Sequence, residues 1–124
     1  MFELEINRVI ASAHRLRGYD GACCNLHGHN YRITAVLRAR RLDAIGIGVD
    51  FKKLKAEVDA LLADYDHALL NDLPDYAELN PTSENMAMTL YRKLAAKMND
   101  GNVRVQAVKV AESDSSCATY FEED

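Results

Sequence analysis

Apolar and polar residues alternate from the start of the chain, with Phe2, Leu4 and Ile6 set against Glu3, Glu5 and Asn7. A period of two is that of a strand with one face buried. The strand continues through Val9-Ile10 towards His14, with the alternation disturbed on the way. Residues 15–26 carry Gly18, Asp20, Gly21 and Asn25 and read as a loop. A second strand over about 29–40 puts Tyr31, Ile33, Ala35 and Leu37 on one face. Two consecutive strands of this kind predict an antiparallel hairpin.

The period then lengthens. Asp50 can cap a helix on which Phe51, Leu54, Val58, Leu61 and Leu62 share one side. Residues 64–81 are turn-rich, with Asn71-Asp72, Pro74-Asp75 and Asn80-Pro81. Thr82 or Ser83 caps a second helix with Met86, Leu90, Leu94 and Met98 inward, and Asn99-Asp100-Gly101 stops it. Val103, Val105, Val108 and Val110 form a third strand with one irregularity where the parity changes, and Cys117 to Phe121 supply a fourth. The order β-β-α-α-β-β predicts an α+β fold, an antiparallel sheet with two helices on one face. No repeat or linker interrupts it, so residues 1–124 read as a single domain.

Composition narrows the partners. With 48% hydrophobic residues the chain can build a core, and 15 basic against 19 acidic side chains give a formal charge of −4. That argues against nucleic acid as a general partner, which normally demands a basic footprint, but leaves room for one small anionic ligand. The N-terminal residues lack the pattern of a signal peptide, and no stretch approaches the roughly 20 apolar residues that cross a membrane. Three cysteines, two of them adjacent (Cys23 and Cys24), make a poor disulfide framework, so a reduced, cytoplasmic protein is expected.

Candidate chemistry gathers on the first hairpin. His27-Gly28-His29 places two imidazoles on one face at the start of a strand. His14 ends the preceding strand, where antiparallel pairing brings it alongside them. Three converging imidazoles with an open fourth position match a catalytic zinc site. Cys23 or Cys24 could instead close the shell, making the zinc structural, and the blandest reading leaves the histidines as decoration of a surface hairpin. Asp66-His67 is either a surface pair or an acid holding an imidazole in one tautomer for proton transfer. A zinc ion or imidazolium nearby would activate Cys23, whereas inert packing is the commoner fate of a thiol.

Taken together these residues resemble the 6-pyruvoyltetrahydropterin synthase / 6-carboxytetrahydropterin synthase family over almost the whole chain. The resemblance rests on Ala13-His14, Cys23 followed by Leu26-His27-Gly28-His29-Asn30-Tyr31, and Val49-Asp50-Phe51. It continues through Asp66-His67, Leu70-Asn71-Asp72, Asn80-Pro81-Thr82-Ser83-Glu84-Asn85 and Glu112. It implies a T-fold, trimers whose sheets close a barrel, and two trimers stacked into a homohexamer with active sites between subunits. His14, His27 and His29 then match the zinc ligands, and Cys23 the catalytic cysteine, selected over Cys24 by the spacing C-x3-H-G-H. Asp66 and His67 match the proton-transfer group. Glu112 matches the acid that anchors the pterin, and Thr82 and Ser83 line its pocket. Without the resemblance, Glu112 reads as a solvated strand-end acid and Thr82 and Ser83 as helix caps.

The family substrate is 7,8-dihydroneopterin triphosphate, and the chemistry needs zinc but no nicotinamide or flavin. One branch keeps the three-carbon chain and makes 6-pyruvoyltetrahydropterin. The queuosine-pathway branch releases acetaldehyde and triphosphate and leaves 6-carboxy-5,6,7,8-tetrahydropterin. The compact loop between Cys23 and His27 is similar to the second. A folate-pathway branch uses a glutamate near the cysteine's place, and residues 22–26 contain no acid. Arg15, Arg17 and Lys109 are candidates for receiving the triphosphate. The competing classes are a non-catalytic zinc-binding oligomerisation module and a pterin-binding protein without turnover.

Overall fold

The protein is described by a computed structural model covering residues 1–123. Strands β1 (Phe2–His14) and β2 (His27–Ala39) pair antiparallel in one unbroken register, from Phe2 opposite Ala39 to His14 opposite His27. The disturbance expected near Val9 is therefore absent. Arg8 occupies an inward position in the strand, and its guanidinium reaches Asp59 at 2.8 Å. A long cationic side chain at the sheet's margin can cover apolar surface and still keep its head wet, so strand parity survives.

Helix α1 (Phe51–Leu62) starts at Asp50, whose carboxylate accepts the Lys52 N–H at 2.9 Å. It buries Leu54, Val58 and Leu62. Phe51, expected on that inner side, is 47% exposed instead. It stands at the first helical position and shares a surface groove with Phe2, Leu42 and Ile47. A two-residue strand, β3 (Ala68–Leu69), then lies parallel to the end of β1, opposite Ser12 and Ala13. Periodicity cannot reveal an element this short.

Helix α2 (Ser83–Met98) is capped by Thr82, whose hydroxyl accepts the Asn85 N–H at 3.1 Å. Met86, Leu90, Leu94 and Met98 all face the core, as their spacing predicts. Strand β4 (Val103–Ser113) runs antiparallel to β2, and β5 (Ser116–Tyr120) completes a sheet of order β3-β1-β2-β4-β5. Both helices cover one face, and the core lies between the two layers. Each fully buried Leu, Ile, Val or Met there contributes roughly 1.5–3 kcal/mol against solvent exposure.

The irregularity expected in β4 is present. Leu37 faces Val105 while Val36 faces Ala107, so Gln106 is an extra residue absorbed as a β-bulge. Inward positions pass from odd numbers (Val103, Val105) to even ones (Val108, Val110), which carries Glu112 to the inner side beside Tyr31. A second shift falls at Glu112 itself, between the pairs Ala111–Cys117 and Ser113–Ser116.

Candidate metal centre

The unbroken β1–β2 register gathers the three imidazoles. His14 stands opposite His27, and His29 opposite Ser12. Because strand side chains repeat every two residues, all three point to the inner face. Their ligating atoms lie within 4.8 Å of one another. The ring centroids of His14 are 4.5 Å from His27 and 5.2 Å from His29. Neither Cys23 nor Cys24 belongs to this cluster.

The hydrogen bonds around the rings fix their protons. His14 Nδ1 lies 2.7 Å from the Pro81 carbonyl, and His27 Nδ1 lies 2.7 Å from the Asn25 carbonyl. A carbonyl only accepts, so each Nδ1 carries a hydrogen, which leaves Nε2 as the atom of each ring able to bind a metal. Those two Nε2 atoms face each other at 2.9 Å. Two lone pairs at that distance repel unless a cation lies between them. Tetrahedral zinc with nitrogen ligands separates them by about 3.3 Å, a small adjustment away. The donor set therefore fits a divalent metal of the zinc type, held by the tautomers that outer-shell carbonyls impose.

His14 is 1% exposed. Burial, then the neighbouring His27 and His29 imidazoles, hold it below the ordinary histidine value, against the opposing pull of the Pro81 carbonyl. That keeps it neutral, the form that binds metal. Beneath it lies Tyr31, wholly buried, with its hydroxyl 3.1 Å from His14 Nδ1 and 3.4 Å from Nε2. Burial, then Glu112 and Tyr76, keep this phenol well above its usual range.

Glu112 approaches the cluster with Oε2 3.7 Å from His29 Nε2, and it accepts the Ser83 hydroxyl at 3.5 Å. His14, Tyr19, Thr82, Ser83, Glu112 and Cys117 share a cleft of about 630 Å³, a volume suited to a small organic molecule. Ser83 and Thr82 thus have distinct places. Thr82 caps the helix, while Ser83 begins it and reaches the acid.

Cys23 lies half-buried in a 3-10 turn, Ala22–Cys24, between the loop glycines and β2. Its carbonyl accepts the Leu16 N–H at 2.9 Å, tying that turn to the chain just beyond His14. Asp66 and His67 stand elsewhere, along the free edge of β1. The Asp66 carboxylate accepts the Ala11 N–H at 2.9 Å, and the His67 N–H donates to the Ala11 carbonyl at 2.6 Å. His67 adopts φ 56°, a left-handed conformation uncommon for a non-glycine residue, and its side chain is 82% exposed. Its Nδ1 lies 3.0 Å from Asp66 Oδ1. The Ala11 N–H above all, with help from His67, holds the Asp66 carboxyl below the usual carboxylate range against the opposing effect of desolvation. Within this one chain the Asp66–His67 pair and the imidazole cluster are separate.

Of the candidates for an anion-binding role, one is otherwise engaged and another lies on the far face of the sheet. The Arg17 guanidinium donates to the Tyr76 and Leu79 carbonyls, both at 3.0 Å. Lys109 pairs with Thr34, on the face opposite to His29 and Tyr31. Sequence reasoning missed the Pro81 carbonyl, the Tyr31 hydroxyl and the contribution of β5 to the cleft. Only the motif context around His29-Asn30-Tyr31 and Asn80-Pro81 gave any signal of the first two.

A two-layer α+β sheet with three inward imidazoles that could hold a metal ion is the arrangement of a T-fold protein. The comparisons with known proteins agree. A family profile described as 6-pyruvoyl tetrahydropterin synthase matches residues 3–123. A Bacillus subtilis relative named 6-carboxy-5,6,7,8-tetrahydropterin synthase is 33% identical, covering 96% of this chain and 84% of the relative. A Synechocystis relative of the same name is 35% identical, covering 89% and 85%. The solved 6-pyruvoyl tetrahydropterin synthase of Caenorhabditis elegans superposes with a TM-score of 0.88 at 28% identity, covering 98% of this chain and 96% of that one. The chain belongs to the 6-pyruvoyl tetrahydropterin synthase family.

Proposed function

We propose that this protein is a zinc-dependent 6-carboxy-5,6,7,8-tetrahydropterin synthase. It converts 7,8-dihydroneopterin triphosphate and one water to 6-carboxytetrahydropterin, acetaldehyde and triphosphate, in the cytoplasm and on the route to queuosine. The observation that carries the reading is the coincidence of two facts. Relatives bearing that name align over 89–96% of this chain, and the cleft beside the imidazole cluster holds an acid suited to a heterocycle.

Bound zinc supplies Lewis-acid stabilisation to side-chain oxygens of the substrate as they gain negative charge. Glu112 accepts hydrogen bonds from the 2-amino and ring N–H groups of the pterin, the natural partner for two adjacent donors on a planar ring. Ser83 and Thr82 line that end. Cys23, as thiolate, removes a proton from the substrate side chain. His67, oriented by Asp66, relays a proton. Since that pair lies on the free edge of β1, away from its own chain's imidazoles, the reading includes a homo-oligomer, a trimer or hexamer, in which one subunit's pair serves its neighbour's metal. Pairing of sheet edges between subunits would also cover the exposed margins of this sheet.

The test is acetaldehyde release from 7,8-dihydroneopterin triphosphate by the zinc-loaded protein, with Cys23→Ala alongside. Acetaldehyde and 6-carboxytetrahydropterin, both abolished by the substitution with zinc retained, are the expected result. The resemblance to the Caenorhabditis elegans structure favours one second reading. A 6-pyruvoyl product without acetaldehyde would move the protein to that sister activity. Loss of zinc or assembly in Cys23→Ala, with no turnover by the parent, would instead support a non-catalytic zinc-binding module.

A further inference from the structure

We propose that Tyr19 is a ligand-binding residue of the cleft, its phenol ring covering one face of the planar heterocycle that Glu112 holds by the edge. The identity of that heterocycle as a pterin rests on the pterin-synthase reading above.

A carboxylate that accepts from two adjacent donors fixes a planar ring by its edge and leaves both faces uncovered. Most of the cleft has little to cover them with. The start of α2 brings Thr82, Ser83 and Glu84, and β5 brings the short side chains of residues 116–119. Among the described residues that line the cleft, only Leu16 and Tyr19 carry a large side chain that is apolar over most of its surface. Leu16 is already half-buried, whereas Tyr19 is 53% exposed. An aromatic ring left this open beside a cleft has the most to gain from a second ring laid against it, since stacking takes apolar surface of both out of water.

The backbone of the loop seats that ring. The Leu16 N–H donates to the Cys23 carbonyl at 2.9 Å and closes the segment between them. Within it, the Tyr19 N–H donates to the Leu16 carbonyl at 3.5 Å. Gly21 then passes against one edge of the ring. A Cβ at that position would stand 3.1 Å from Tyr19 Cε1 and 3.7 Å from Cδ1, and the residue has φ 144°, a conformation that favours glycine. Glycine thus lets the backbone support the ring where a side chain would push it aside. Tyrosine has only two side-chain torsions to fix, so holding it against a ligand costs little entropy. The same closed segment carries Cys23, so a heterocycle resting on Tyr19 is gripped by the segment that presents the thiol. Such a contact serves substrate and transition state alike, and its loss raises KM rather than lowering kcat.

The experiment compares zinc-loaded wild type, Tyr19→Ala and Tyr19→Phe. Neopterin is the probe, its affinity read from the anisotropy of its own fluorescence. KM and kcat are measured with 7,8-dihydroneopterin triphosphate, and zinc affinity and Tm are recorded for each chain. We expect Tyr19→Ala to weaken neopterin binding about 10–100-fold, the range for loss of one aromatic stacking partner. KM should rise by a similar factor, with kcat changed by less than about threefold. Tyr19→Phe keeps the ring and should stay within about threefold of wild type. Zinc affinity and Tm should match wild type in both, because an exposed loop side chain contributes little to the fold. Equal neopterin affinity in wild type and Tyr19→Ala overturns the inference. So does an equal loss in Tyr19→Phe and Tyr19→Ala, which would assign the effect to the hydroxyl. A parallel fall in zinc affinity or Tm also overturns it, because Tyr19 would then only hold the loop. If wild type binds no neopterin and turns over no dihydroneopterin triphosphate, the pterin-synthase reading fails and the inference falls with it. If wild type turns the substrate over but holds neopterin too weakly to measure, the KM ratio decides by the same criterion.

Discussion

Asn80 closes a two-point clasp on Arg17. Its Oδ1 accepts the Arg17 N–H at 2.9 Å, and its Nδ2 donates to the Arg17 carbonyl at 2.8 Å. The Arg17 guanidinium returns the contact to the Tyr76 and Leu79 carbonyls. Asn71 grips Arg15 in the same two-point manner, at 2.9 and 3.0 Å. The segment leaving His14 is thus stitched to the chain that leads to Pro81, whose carbonyl orients His14.

Loss of that stitch should be felt at the metal. Asn80→Ala removes both bonds to Arg17 without touching a ligand, and it loosens the residue preceding Pro81. We expect zinc affinity to fall about tenfold, as for other outer-shell losses. Competition with a chromophoric chelator measures it. Unchanged affinity would mean that the Pro81 carbonyl keeps its place without the clasp.

Metal should stabilise the fold, because the Nε2 atoms of His14 and His27 face each other at 2.9 Å without it. Free zinc at a hundredfold excess over its dissociation constant contributes about 2.7 kcal/mol. That amounts to a rise in Tm of about 10 °C for a chain of this size. Differential scanning fluorimetry with and without chelator reads it directly, and His29→Ala should abolish most of the rise. Equal melting curves with and without zinc would refute the metal centre.

The parity shift at Gln106 makes a prediction about neighbours. Val110 is buried and Lys109 exposed, although unbroken alternation from Val105 would place residue 109 inside. Val110→Ala should cost about 2 kcal/mol in urea unfolding. Lys109→Ala should stay within about 0.5 kcal/mol of wild type. The reverse order would contradict the bulge.

Asp66 provides a test by pH. Its folded carboxyl is held below the ordinary value of 3.8, first by the Ala11 N–H and then by His67. A carboxyl depressed on folding contributes stability that is present above its unfolded pKa and lost as pH falls through its folded pKa. Wild type should therefore melt higher than Asp66→Asn at neutral pH, and the difference should shrink as pH falls below about 4. A gap that persists unchanged into that acid range would show that the carboxylate charge contributes nothing there.

The hairpin, both helices, their caps and the break of parity in β4 were legible in the residues, and so was the histidine triad. Each depends on a period or a short spacing within one element. A strand that alternates without interruption must carry His27 and His29 to one side, and pairing across the hairpin must add His14. The Asp50 and Thr82 caps follow from side chains two or three residues from the amides they accept. Phe51 shows the limit of such reasoning. It satisfies the helical spacing, yet it lies on the surface because the helix begins at the edge of the layer it covers.

What the sequence determined by itself is thus the set of elements, their inward faces and the three imidazoles. The tertiary structure alone decided which groups surround them. Tyr65 and Tyr76 lie buried in a stretch that reads as turns, joined hydroxyl to hydroxyl at 2.8 Å across 11 residues of chain. The Pro81 carbonyl orients His14 across 67 residues, and the Asn80 clasp spans 63. The Asp66–His67 pair settles on an outer strand edge rather than beside the imidazoles. Periodicity records how one element meets solvent and core. It carries no record of which backbone carbonyl or phenol another segment will bring to a given ring, because that depends on the packing of the two layers as a whole.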